Sequence, residues 1–173
     1  MPTSTAGNLN KESGFTLIEL TIVVLLLGLF SALVVPRLPG VGEDGLKSSA
    51  RRIAGTVKYF FNEAALTGRP HRLEYNLDAG TFRVRRIEAD GEVVELSGTG
   101  REQRLKGRVR FKDIAIPARG SFNQGEVTTE IQPVGWMEET VVHLEEEGGR
   151  TLTLRIMPYT GTTEVFDGYR EFD

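Results

Sequence analysis

The chain has 173 residues, enough for one domain with a sizeable core beside a shorter terminal segment. It contains no cysteine, which excludes disulfide bonds, thiolate metal sites and a cysteine nucleophile. The formal net charge of −3 is unevenly spread, with 17 basic and 11 acidic residues over 37–119 but 3 basic and 11 acidic residues over 120–173. Such asymmetry favours head-to-tail association with copies or relatives, and it is also typical of an ordinary solvated surface with uneven loops.

An apolar segment dominates the N-terminal part of the chain. Residues 1–14 are polar, whereas residues 15–35 form a run of 21 residues whose one charged side chain is Glu19. As an α-helix this run is roughly 31 Å long, which matches the hydrocarbon thickness of a bilayer. No convincing small-x-small cleavage site follows it, so we expect it to stay in the mature chain. A carboxylate inside a bilayer costs about 3 kcal/mol, which indicates a functional role for Glu19.

The residues around Glu19 resemble a known processing signal. Residues 14–20 read Gly-Phe-Thr-Leu-Ile-Glu-Leu and lead into the apolar run, as in the class III signals of type IV pilins and type II secretion pseudopilins. The resemblance implies that prepilin peptidase cuts between Gly14 and Phe15 and then methylates the new amino group of Phe15. It also implies that Glu19 neutralises the Phe15 amine of a neighbouring filament subunit. Such a buried pair fixes the axial offset between subunits more than it adds stability.

Helix-breaking residues follow the apolar run. Pro36 and Pro39 are succeeded by three glycines before residue 46, so residues 36–45 are expected to kink or melt locally. In the pilin-like family a proline near this place bends the helix, and the resemblance gives that role to Pro36.

Helical periodicity returns after Gly45. Apolar residues recur at steps of three and four up to Ala64, and Gly68 with Pro70 marks the end. The pattern predicts an amphipathic helix of about 22 residues whose apolar face packs on a sheet. A cationic helix on a membrane surface is the alternative, but two phenylalanines within the apolar stripe favour a core position.

In the remaining chain, apolar and polar residues alternate with a period of two, which predicts strands. The clearest hairpins span residues 71–84 and 141–157, residues 104–112 are interpreted as one strand, and residues 117–125 as a loop. About eight or nine short strands and no further long helix are expected. The predicted fold class is α+β and pilin-like, with a long N-terminal helix, transmembrane and then amphipathic, packed on antiparallel sheet.

The C-terminal third is similar in layout to the soluble domain of the H-type minor pseudopilins and related minor pilins. A glycine-containing apolar stretch at residues 131–135 precedes the last hairpin, whose turn carries the pair Thr160 and Gly161. The aromatic-Pro-Thr loop of the major pseudopilin is not found, so its calcium site is not carried over. The resemblance covers the whole chain in layout and residues 14–36 by motif.

The sequence does not indicate catalysis. It has no nucleophile elbow, phosphate-binding glycine loop, dinucleotide fingerprint or His-Glu-x-x-His motif. His71 and His143 lie on separate predicted strands and are each expected to be structural or exposed, with His71 on the polar side. Acidic residues 43–44 and 145–147 could attract calcium but are more typical of solvated loops. Trp136 is open to two interpretations, an interface anchor and a core residue, of which the core is favoured. We predict no enzyme activity, no cofactor and no metal site.

A row of cations follows one face of the predicted strand over residues 104–112. Its members are Arg104, Lys106, Arg108, Arg110 and Lys112. Such a row can bind phosphates, but no aromatic residues interleave with it, so nucleic acid is not favoured as a partner. We expect it to contact an acidic surface of another filament subunit, similar to residues 138–147.

These patterns, together with what the resemblance implies, predict four parts of the chain. They are a leader peptide at residues 1–14, a transmembrane and filament-core helix at 15–36, an amphipathic helix at 37–68, and a periplasmic antiparallel β domain at 69–173.

The resemblance implies a minor pseudopilin of the type II secretion system, placed near the tip of a periplasmic pseudopilus that drives protein export across the outer membrane. It implies a single-pass inner-membrane protein with its C-terminal domain in the periplasm. The expected partners are prepilin peptidase, other major and minor pseudopilins, the inner-membrane assembly platform and membrane lipid. Two alternatives stay open: a minor type IV pilin that acts in pilus assembly or DNA uptake, and a membrane-anchored binding domain that never polymerises.

Overall fold

The computed structural model describes residues 15–34 and 44–172, with side chains described over 15–31 and 44–172. The chain divides into two compact units, Met1–Val41 and Gly42–Asp173. The described part of the second, residues 44–172, is called the globular unit below. The predicted leader with Gly14, and the predicted joint with Pro36, lie outside the described residues.

Helix α1 (Leu17–Val34) fills most of the described part of the first unit. Thr16 closes its first turn, because the Leu20 N–H donates to the Thr16 carbonyl (3.1 Å) and the Glu19 N–H donates to the Thr16 hydroxyl (3.3 Å). A threonine hydroxyl is well suited to satisfy a free N–H at a helix start. Apolar side chains cover all sides of α1, and those described are exposed. Among the described residues, no helix reaches the length and hydropathy needed to cross a bilayer.

Helix α2 (Gly45–Thr67) is the amphipathic helix that the sequence predicts. The Asp44 side chain accepts a hydrogen bond from the Lys47 N–H at its start, and Gly68 ends it in a left-handed conformation with φ 67°. Glycine suits this position because it lacks a Cβ. The buried apolar residues of α2 are Leu46, Ala50, Ile53, Val57, Phe60, Phe61 and Ala64. Their spacing at three and four residues gives one face, which contacts strands of both sheets described below.

Eleven strands follow within the globular unit, rather than the eight or nine expected. They are β1 (His71–Asn76), β2 (Thr81–Ile87), β3 (Val93–Glu95), β4 (Gln103–Arg104), β5 (Val109–Ile116), β6 (Gly120–Phe122), β7 (Glu126–Gln132), β8 (Trp136–Met137), β9 (Thr140–Glu146), β10 (Thr151–Ile156) and β11 (Thr163–Asp167). The additional elements are very short: β4 and β8 have two residues each, and β6 lies within the stretch expected to be a loop.

The strands form two antiparallel sheets. The first has the order β3-β2-β1-β7-β8, with β4 also paired to β2, and the second has the order β11-β10-β9-β5-β6. The predicted hairpins are confirmed as β1–β2, in which Leu73 faces Val84 and Tyr75 faces Phe82, and as β9–β10. The pairing of β1 with β7 and of β5 with β9 joins distant parts of the sequence.

One apolar core joins α2 to both sheets. Tyr75 on β1 lies edge to face against Phe111 on β5, with ring centroids 5.8 Å apart, so side chains of the two sheets meet directly. Full burial of a large apolar side chain contributes about 1.5–3 kcal/mol, which makes this shared core the main source of stability. The predicted α+β class, with a helix packed on antiparallel sheet, is confirmed.

The predicted core position of Trp136 is wrong. Trp136 is 38% exposed at the edge of the first sheet, whereas its neighbour Met137 is fully buried. Successive residues of a strand point to opposite faces, so only one of the two can enter the core.

His71 is buried, not on the polar side of its strand as predicted. It is 1% exposed, and its ring lies 5.2 Å from that of Phe60 on α2. Burial removes the ring from water and lowers the pKa of His71, although a backbone hydrogen bond at Arg69 opposes the shift.

The lowered pKa of His71 predicts a loss of stability in mild acid. Below about pH 6.5 the unfolded chain binds a proton on this ring while the folded chain resists it, so stability falls as the pH falls. We expect His71→Leu to flatten the decline of the urea midpoint between about pH 7 and pH 5. His143 is unchanged in both proteins, so their difference isolates His71; identical slopes would contradict this assignment.

Candidate assembly surfaces

The first turn of α1 presents the residues of the predicted processing signal. Phe15 is 76% exposed and precedes the Thr16 cap, and Glu19 is exposed within the first turn. A carboxylate at a helix start interacts favourably with the helix dipole, typically by about 0.3–1 kcal/mol. Glu19 thus has a local role in one chain and is also accessible to a second chain. Its pairing with the Phe15 amine of a neighbouring subunit stays a prediction.

The described surface of α1 is a continuous apolar face. Most of its large apolar side chains are more than half exposed, including Leu25, Leu27 and Phe30. Soluble monomers rarely expose apolar patches of more than a few hundred Å². The described part of α1 therefore presents apolar surface that its own side chains leave exposed.

The predicted single strand over residues 104–112 is wrong. Arg104 ends β4 in the first sheet, and β5 begins only at Val109 in the second sheet. Between them Gly107 adopts φ 62°, and the Val109 N–H donates to the Lys106 carbonyl in a turn. The five cations therefore do not share one strand face.

Three of these cations bind acidic residues of their own chain. Arg108 pairs with Glu147, while Arg110 and Lys112 both pair with Glu145. The pairing of β5 with β9 places Arg110 opposite Glu145, and just beyond both strands the Glu147 N–H donates to the Arg108 carbonyl. The acidic surface at residues 138–147, expected on a partner, is thus supplied in part by the same chain. Contact between the remaining cations and a partner stays a prediction.

A second basic surface, which the sequence did not reveal, lies between α2 and the segment that leads into β4. It is an open groove of about 960 Å³, and we call it the arginine groove. Arg51 and Arg52 line it from α2, and Arg101 and Arg104 from the other side. Gln103 fixes the floor by donating to the Thr99 carbonyl (2.8 Å) and the Thr56 hydroxyl (3.3 Å).

Gly55 lies on the α2 wall of the arginine groove. A glycine inside a helix costs about 1 kcal/mol relative to alanine. No atom lies within 4 Å of the place where a Cβ would sit, and its φ is not in the left-handed region. Neither backbone conformation nor packing within the described chain therefore explains this glycine.

His143 fastens the C-terminal segment to the second sheet. Its Nδ1 lies 2.6 Å from Oδ1 of Asp113, and its Nε2 lies 2.8 Å from the Arg170 carbonyl oxygen. A carbonyl oxygen can only accept, so Nε2 is the donor in the contact with Arg170. Tyr169 stacks on the ring at 3.9 Å. His143 is buried and structural, one of the two roles expected for it.

The acidic residues considered for calcium have other partners. Asp44 caps α2 and receives a hydrogen bond from Arg150, which holds the pKa of this carboxyl below its usual value. Glu145 binds Arg110 and Lys112, as described above. Within the described ranges, no group of three or more His, Asp or Glu residues could hold a metal ion. Glu43 lies outside them.

Comparison with known proteins bears on both units. Residues 9–35 match the family described as the prokaryotic N-terminal methylation motif, and this match spans the predicted cleavage site. The chain therefore carries an N-terminal motif of prepilin-like proteins. No curated protein matches the chain in sequence.

The fold of the chain is pilin-like and similar to that of a minor pseudopilin. It matches two structures of the minor pseudopilin EpsH from the type II secretion system of Vibrio cholerae, with TM-scores of 0.57 and 0.59. The sequence identities are 15% and 12%, and each match covers 72% of this chain and 98% or 97% of the EpsH chain. At this identity the likeness establishes the fold, and the predicted resemblance to H-type minor pseudopilins is confirmed at that level.

Proposed function

We propose that this chain is a minor pseudopilin of a type II secretion system and acts as a structural subunit rather than an enzyme. It is made as a prepilin in the inner membrane, with its C-terminal domain in the periplasm. Prepilin peptidase cuts it after Gly14 and methylates Phe15. The mature chain then joins other pseudopilins on the assembly platform and enters a periplasmic pseudopilus, near its tip, that drives protein export.

One observation carries this proposal: a prepilin-type methylation motif and an EpsH-like fold occur on a single chain. The motif alone is compatible with any pilin-like protein, and the fold alone is compatible with a domain that never polymerises. Their combination supports assembly through α1, and the likeness to EpsH favours secretion over a type IV pilus.

The apolar surface of α1 gives the proposal a physical basis. Lipid covers this surface before assembly, and the helices of neighbouring subunits cover it in the filament. The Phe15 amine created by cleavage is cationic near neutral pH. Placed beside Glu19 of a neighbour, it offsets part of the desolvation cost of both charges, and it pairs only at one axial offset between subunits.

A genetic complementation experiment tests this function. In a strain that lacks the gene for this chain, we expect secreted enzymes to be depleted from the medium and restored by the wild-type gene. Gly14→Val should fail to restore them, because it replaces the residue directly before the proposed cut with a larger, β-branched one. Gly28→Ala is the matched control, since it changes a glycine of α1 whose added methyl group meets no atom within 4 Å.

Two outcomes would count against the proposal. Normal secretion accompanied by loss of pili or of DNA uptake would favour a minor type IV pilin. Full restoration by Gly14→Val would show that processing is not required.

A further inference from the structure

The arginine groove contains the arginines of the globular unit for which no ion pair or aromatic contact is found among the described residues. The globular unit contains 15 arginines. Ten form ion pairs with described residues, and Arg170 stacks on the ring of Phe166. The four that remain are Arg51, Arg52, Arg101 and Arg104, and all four line this one groove.

This arrangement leaves the groove with uncompensated positive charge. Glu102 is the one acidic residue along its lining, so four like charges face one space with a single opposite charge. Repulsion among them is unfavourable in the free domain, and an anionic ligand would relieve it. Guanidinium groups bind carboxylates through two parallel hydrogen bonds, which suits them to an acidic side chain.

Gly55 independently indicates that the backbone of a ligand approaches the α2 wall of the groove. The space beside its Cα is empty, although alanine would stabilise the helix there. Glycine is the residue that lets another backbone come close to a helix. The vacant space and the arginines lie in the same groove.

The lining favours a polypeptide over a nucleic acid. No aromatic side chain lines the groove on which a base could stack. The Glu102 carboxylate would repel a phosphate backbone, whereas it can bind a lysine or arginine of a protein. A second copy of this chain is a poor occupant, because Glu145, Glu146 and Glu147 of its most acidic segment already bind cations of their own chain.

We propose that the arginine groove is a docking site for an extended, acidic segment of a different polypeptide. The segment lies along α2 with its backbone over Gly55, and its carboxylates bind the arginines of the two walls. This site is separate from the apolar contacts of α1 and does not depend on whether the chain polymerises.

Peptide binding to the full-length chain in detergent tests the site. The probe is a fluorescently labelled peptide of alternating glutamate and glycine, measured by anisotropy at low ionic strength. The same peptide with glutamine in place of glutamate should not bind. We expect Arg52→Ala combined with Arg104→Ala, one change on each wall, to weaken binding about tenfold.

Two further variants distinguish binding in the groove from a general attraction of the peptide to positive charge. Arg108→Ala removes an exposed arginine outside the groove and should leave binding unchanged. Gly55→Leu keeps every charge and a good helix former but fills the groove, so binding should be lost while the melting temperature is maintained.

Several results would overturn the proposal. Equal binding by the wild type and the double arginine variant would place the site elsewhere. A DNA oligonucleotide that bound more tightly than the peptide, with the same dependence on the two arginines, would make this a nucleic-acid site. Self-association in sedimentation that the double variant abolished would assign the groove to a second copy of the chain.

Discussion

Replacing Gly161 by alanine is expected to lower the free energy of unfolding of the globular unit by about 3 kcal/mol. Gly161 has φ 59°, and an added Cβ would overlap the Cβ and ring of Phe61 on α2. Phe61 is 8% exposed within the core and cannot turn away without disturbing it. Backbone strain and overpacking therefore act together, and thermal unfolding should shift down by about 10 °C.

Gly168→Ala is the matched control for this prediction. Gly168 also has a positive φ, of 83°, but no atom lies within 4 Å of its added Cβ. Gly168→Ala should lower the free energy of unfolding through backbone strain alone, by about 1–2 kcal/mol. Equal effects of the two substitutions would mean that the turn at residues 160–162 does not pack against α2 as described.

Replacing Glu19 by leucine is expected to abolish filament assembly while leaving cleavage after Gly14 intact. If Glu19 neutralises the Phe15 amine of its neighbour, the variant leaves that amine unpaired among apolar helices. Loss of one partner of a buried ion pair costs about 3–5 kcal/mol, which corresponds to more than a hundredfold loss of assembled subunit. The amount of processed chain that copurifies with other pseudopilins measures the effect.

Thr21→Val provides the comparison within the same helix. Thr21 donates to the Leu17 carbonyl (2.7 Å) and carries no charge, so its loss should leave assembly near normal. If the Glu19→Leu variant assembled as well as the Thr21→Val variant, this result would contradict the charge-pairing role. It would leave Glu19 with only its local effect on the start of α1.

Local patterns predicted much of the fold. The limits of α2 followed from Gly45, the apolar steps and the glycine cap at Gly68. The hairpins β1–β2 and β9–β10 followed from alternation around short turns. These features depend on residues close in sequence, and the structure confirms them.

Long-range pairing accounts for most of what the sequence did not reveal. Alternation continued through residues 104–112, and only the left-handed Gly107 marks the break between β4 and β5. The pairing of β5 with β9 decides that Arg110 binds Glu145 and that Asp113 meets His143, and no local pattern specifies that pairing. One signal for the arginine groove was visible, namely Gly55 inside an otherwise regular helical pattern.

The mass of the mature chain purified from membranes tests the central claim most directly. If the chain is a processed pseudopilin, its first residue is Phe15, and a single methyl group is present on the amino nitrogen. Fragmentation of the N-terminal peptide should place that methyl group on Phe15, and it should be absent when prepilin peptidase is inactive. A mature chain that retains residues 1–14, or that begins at Phe15 without dependence on the peptidase, would contradict the account.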